Sequence, residues 1–73
     1  MPEKTIGERR VRVDFNPSAE SAVDIIKNKT AELINLVNDC PAEDGEVKRL
    51  VSLAMTSYEE AAMWAVKAVT AGK

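Results

Sequence analysis

Three arginines stand within four residues, Arg9, Arg10 and Arg12, and Phe15 follows them closely. Guanidinium forks offer paired donors that match a phosphate group, and an aromatic face offers a stacking surface for a nucleobase. Together they make a compact grip for a nucleotide. An extended, solvated tail would carry the same arginines, but Val11, Val13 and Phe15 alternate with Arg10, Arg12 and Asp14, which implies a docked segment with one apolar face. Lys27 and Lys29 lie one to two turns into the first long helix, within reach of a ligand held by that segment.

Groups for covalent or acid–base chemistry are scarce. The chain of 73 residues has no histidine and one cysteine, so it offers no Cys/His zinc site and no intrachain disulfide. Glu59 and Glu60 are the adjacent carboxylates within a helix. Neighbouring residues point about 100° apart there, so the two do not converge as an acid/base pair and read as a solvated face. Cys40 sits beside Pro41 without a cationic neighbour to draw out a thiolate, and reads as a small turn residue. The expectation is a protein that is not an enzyme and uses no cofactor or metal.

The charge balance points the same way. Ten Lys and Arg against twelve Asp and Glu give a net charge of −2, which argues against long nucleic acid held by general electrostatics. A small anionic ligand at a local basic patch remains open. No apolar run approaches the roughly 18–20 residues of a membrane span, and MPEKTIGERR lacks the apolar core of a signal peptide, so a soluble, intracellular protein is expected.

The elements that must position these groups are two helices. Val47 to Thr70 carries one consistent period, with Val47, Leu50, Val51, Ala54, Tyr58, Ala61, Ala65 and Ala68 recurring at three- and four-residue steps. Leu53, Met55, Met63, Trp64, Val66 and Val69 lie outside that stripe, leaving more apolar circumference than one partner helix needs. Met63 and Trp64 are the expected contact with a second copy. The first long helix follows a start signal, Asn16-Pro17-Ser18, and buries Val23, Ile26, Thr30, Leu33 and Val37, with Lys27 towards the other side. Asn38 to Gly45 collects the loop formers, so the turn falls at about 39–43 and the helices are antiparallel neighbours. The expected architecture is all-α: an antiparallel two-helix hairpin over residues 16–73, with helices at about 17–38 and 43–71, and an extended N-terminal arm over 1–15. A single core of this size contributes about 3–5 kcal/mol and ordinarily needs a disulfide, a metal or oligomerisation. With the first two removed, a homo-oligomer is expected.

The stretch from Arg49 to Ala68, RLVSLAMTSYEEAAMWAVKA, resembles the second helix of the phage-encoded cyclic-oligonucleotide sponges, anti-CBASS proteins that share a helical-hairpin domain with the sponges acting against Thoeris signalling. The resembling marks are Arg49 before a bulky apolar residue, then Thr56, a polar pair, small residues, Met63, and Lys67 before Ala68. More loosely, Phe15 precedes the Asn16-Pro17-Ser18 helix start, and the Ile26-Lys27 step follows it.

The resemblance implies a non-enzymatic sponge, assembled as a homohexamer in the cytoplasm of the infected bacterial host. It would sequester cyclic dinucleotides such as cGAMP, and cyclic trinucleotides in separate pockets. It gives base stacking to Phe15, where a tyrosine is usual, and phosphate contact to Lys27. Arg49 and Thr56 are the positions it offers for the second pocket. Two other classes fit the residues: a helical-hairpin assembly or adaptor protein whose arm docks on a protein partner, and a small nucleic-acid-binding regulator.

Overall fold

The computed structural model describes residues 3–16 and 20–71. Three α-helices follow in order, α1 (Ile6–Val11), α2 (Ser21–Asn38) and α3 (Gly45–Thr70), and no strand occurs among the described residues. The all-α hairpin expected from the pattern is present as α2 and α3, joined by a short connection. No helix of the described residues is long and apolar enough to cross a membrane.

The arm departs from the expectation. It is folded, and its centre is a helix. Thr5 caps α1 by accepting from the Glu8 amide at 3.1 Å, and the Glu8 carboxylate accepts from the Thr5 amide at 2.8 Å, a reciprocal capping box. The helix ends at Arg12, which adopts the left-handed conformation (φ 57, ψ 60). The Val11, Val13, Phe15 alternation therefore arises where the chain leaves a helix through a turn, and Val11 and Val13 both pack against the core.

α1 runs antiparallel along α2 and is fixed at both ends. At its start the Gly7 amide donates to Asn35 Oδ1 at 2.8 Å, and Asn35 Nδ2 donates to Thr5 Oγ1 at 3.0 Å. Gly7 rests directly on the Ala31 backbone, where an added Cβ would lie 2.2 Å from the carbonyl oxygen. At the other end Lys27 donates to the carbonyls that follow α1.

The long helices begin later than expected. α2 starts at Ser21 with Glu20 as its N-cap residue. Asn16 acts ahead of the helix: its side chain accepts from the Glu20 amide at 3.3 Å and donates to the Glu20 carbonyl at 3.0 Å and Asp24 Oδ1 at 2.9 Å. The Pro17-Ser18 part of the start signal lies outside the described residues. α3 starts at Gly45, where the Asp44 side chain accepts from the Val47 amide at 2.8 Å.

The buried stripes are rotated from those expected. On α2, Val23, Lys27, Ala31 and Ile34 are buried and Leu33 is exposed. On α3, Met55 and Ala62 are buried, while Leu50, Ala61 and Ala68 face outward. The core gathers Val11, Ala31, Ile34, Met55 and Ala62, edged by Ile6, Val13, Ile26, Val37, Val51 and Tyr58. The rotation has a simple origin: α3 must face α1 as well as α2, so its inner surface centres between the two. The molecule spreads as a slab of 45 × 30 × 12 Å, and Ile25, Leu33, Leu36, Leu50, Leu53, Met63 and Trp64 stay exposed on it.

Candidate functional site

Where the end of α1, the turn after it and the middle of α3 meet, they enclose a cleft of about 480 Å³. Its walls include Arg10, Arg12, Phe15, Lys27 and Thr56, five of the eight candidate ligand residues named from the sequence, together with Val11, Glu59, Glu60, Ala62, Met63 and Val66. Apolar floor and convergent polar groups are what a small-molecule site requires. Each cation reaches the cleft by a different route.

Arg10 projects from α1 across to α3, where its guanidinium donates to Thr56 Oγ1 at 3.1 Å and to Glu59 Oε2 at 3.3 Å. Its Nε is buried and finds no acceptor among the described residues. Arg10 is thus a tie between α1 and α3, with its charge largely met by Glu59. Thr56 belongs to this tie.

Lys27 comes from the buried stripe of α2 and is only 7 % exposed. Its ammonium donates to the Arg12 carbonyl at 3.0 Å and to the Phe15 carbonyl. The spacing Val23, Lys27, Ala31, Ile34 carries this placement, since steps of four and three return to one helix face. Burial pushes the Lys27 ammonium below its ordinary value of 10.5; the nearby Arg12 charge pushes the same way, and Asp24 opposes them. Lys27 therefore builds the site by clamping the 12–15 turn, a role the sequence reading missed in placing it on the polar side.

Arg12 and Phe15 sit on the turn so held. The Phe15 amide donates to the Arg12 carbonyl at 2.9 Å, closing the turn. Phe15 is 50 % exposed, with the Arg12 guanidinium 4.4 Å from its ring centroid and Lys27 Nζ at 5.2 Å. A left-handed conformation costs a residue with a Cβ about 1–2 kcal/mol, and glycine or asparagine is the usual occupant at this end of a helix. Arginine holds it here.

Arg49 is elsewhere. It lies two turns before Thr56 on α3 and pairs in bidentate fashion with Glu46, at 2.9 and 2.8 Å, in an exposed i, i+3 bridge. The shared pocket expected for Arg49 and Thr56 is not formed within one chain. Arg9 and Lys29 are exposed and do not line the cleft. Among the described residues no group of three His, Cys, Asp or Glu is placed to hold a metal ion.

A family model described as Acb2/Tad1, hairpin domain, matches residues 7–70. The chain belongs to the Acb2/Tad1 hairpin-domain family. This is the family of anti-CBASS and anti-Thoeris sponges, and the match spans all three helices. Neither the curated proteins nor the solved structures give a match. Membership suggests a function class, sponges for cyclic nucleotide signals.

Proposed function

We propose that this protein is a phage anti-defence sponge that binds cyclic di- and trinucleotide immune signals in the cytoplasm of the infected bacterial host and holds them without cleavage. The observation that carries this reading is the cleft itself. A half-exposed aromatic ring flanked by two cations stands over an apolar floor in a chain of the Acb2/Tad1 hairpin family. A nucleobase stacks on Phe15, contributing about 1–3 kcal/mol per base, and the phosphodiester meets the positive edge formed by Arg12 and Lys27. The lysine keeps one N–H beyond the two it gives to carbonyls.

Assembly supports the same function. The slab leaves the outer faces of α2 and α3 apolar, with Trp64 57 % exposed, more than a short chain leaves uncovered as a monomer. Copies packing through these faces would cover this apolar surface, in the hexamer the family likeness implies.

Calorimetry against a panel of cyclic di- and trinucleotides tests the binding, and ligand released by heat or protease should activate its effector undiminished. Recovery of linear product would replace the sponge with a phosphodiesterase, and absence of binding across the panel would remove the reading.

A further inference from the structure

Of the three cations lining the cleft, two are already engaged. Arg10 is tied to Glu59 and Thr56, and Lys27 to two backbone carbonyls. Among the described residues Arg12 has no carboxylate within ion-pair distance and no side-chain hydrogen bond; its guanidinium lies on the Phe15 ring. The acid next along the turn, Asp14, pairs instead with Lys4. Arg12 and Phe15 together also border a second, shallower hollow with Lys4, Glu8, Arg9, Val13 and Asp14, so the stacked pair forms a wall between two open spaces.

Three features of this residue converge. It occupies a left-handed conformation that glycine or asparagine would hold more cheaply. Its five donors are uncommitted, and its planar group covers the ring on which a base would stack. We infer that Arg12 is the exchange residue of the site: the incoming base takes its place on the Phe15 ring, and the displaced guanidinium closes in bidentate fashion on the ligand's phosphate. The turn is clamped by Lys27 so that this swing needs side-chain rotation only. One weak stacking contact is given up for a charge-assisted pair, and the backbone conformation that aims the guanidinium is maintained in both states.

This inference rests on the sponge reading, and the experiment separates the two. Binding of cyclic GMP–AMP is measured by calorimetry for the wild type and for Arg12→Gly, Arg12→Asn and Arg12→Lys, with thermal unfolding and sedimentation recorded on the same samples. Gly and Asn both accept the left-handed conformation, so their thermal midpoints should equal or exceed that of the wild type. Their affinity should nevertheless fall about ten- to hundredfold, the loss of one charge-assisted pair. Arg12→Lys should recover part of the affinity while unfolding at a lower temperature than Arg12→Gly. Stability and affinity moving in opposite directions is a signature that a merely structural role does not produce. If the wild type binds none of the cyclic nucleotides, the sponge reading has failed. If the wild type binds and Arg12→Gly and Arg12→Asn bind equally well, or lose affinity only together with stability or assembly, Arg12 is not the exchange residue.

Discussion

Gly7→Ala tests whether α1 is the scaffold of the site. A Cβ built at Gly7 would lie 2.2 Å from the Ala31 carbonyl oxygen and 2.8 Å from that residue's Cα and carbonyl carbon. All three are backbone atoms of α2, so no side chain can step aside, and α1 must move away by about 1 Å to restore ordinary contact. That shift stretches the Gly7–Asn35 hydrogen bond, now 2.8 Å, and pulls Ile6 and Val11 from the core. Overpacking of this kind costs about 1–3 kcal/mol, and a lost hydrogen bond about 1 kcal/mol more. Alanine's better helix propensity returns about 1 kcal/mol at most. The net expectation is a destabilisation of about 1–3 kcal/mol, read by urea denaturation, or a fall in thermal midpoint of about 4–8 °C per kcal/mol. Gly45→Ala is the matched control, because its added Cβ meets nothing within 4 Å and its φ is not positive; it should be neutral or stabilising by up to about 1 kcal/mol. A Gly7→Ala protein within about 0.5 kcal/mol of wild type would refute the close docking of α1 and the positioning argument built on it.

Phe15→Ala should lower affinity for a cyclic dinucleotide by about 1–3 kcal/mol in calorimetry, whereas Arg49→Ala, whose side chain is engaged by Glu46 away from the cleft, should leave it unchanged. Lys27 has a folded-state pKa below its ordinary 10.5, so the unfolded chain binds more protons between the two values; the stability difference between wild type and Lys27→Met should therefore increase as pH rises through the window just below 10.5, followed by denaturation at a series of alkaline pH values. A difference that shrinks with pH there would mean the ammonium is not desolvated. Trp64→Ala, at an exposed position, should change sedimentation behaviour at micromolar concentration while leaving the helical circular dichroism signal intact.

The hairpin was legible because α2 and α3 are long enough for a period to show, and because Asn38 to Gly45 collects loop-forming residues. The rotation of their buried faces was not. Leu50, Ala61 and Ala68 form as good a stripe as Met55 and Ala62, and the choice between them depends on where α1 lies. α1 itself has six residues, fewer than two turns, so its apolar positions cannot establish a helical period. Its start did carry a sign, Thr5-Ile6-Gly7-Glu8, the spacing of a capping box. The two-residue alternation after it points instead to an extended segment. Phe15, Arg12 and Arg10 were identifiable by residue type and Thr56 by the family resemblance, and the cleft brings them together, but the bond from Arg10 to Glu59 joins residues 49 apart in sequence and had no local signal. Lys27 lines the cleft, but the resemblance suggested a phosphate contact from the polar side of the helix, while its spacing with Val23, Ala31 and Ile34 describes a buried clamp.

That clamp links stability to binding. Arg10, Arg12 and Lys27 place three like charges around one cleft, an arrangement that opposes folding unless partners are supplied. Glu59 answers the first and two carbonyls answer the third, leaving the remaining charge for an anion. A bound phosphate should therefore stabilise the arm as well as occupy it. A ligand at a hundred times its dissociation constant adds about 2.7 kcal/mol to the stability of the form that binds it. This matches the upper part of the loss expected for Gly7→Ala, about 1–3 kcal/mol. Saturating cyclic dinucleotide should raise the unfolding midpoint of Gly7→Ala towards that of the ligand-free wild type, while Gly7→Ala binds more weakly because part of the binding free energy is consumed in redocking α1. Equal affinities for the two proteins would show that α1 is docked independently of the ligand. A midpoint that fails to rise at saturation would show that the ligand does not distinguish the folded arm from the unfolded one.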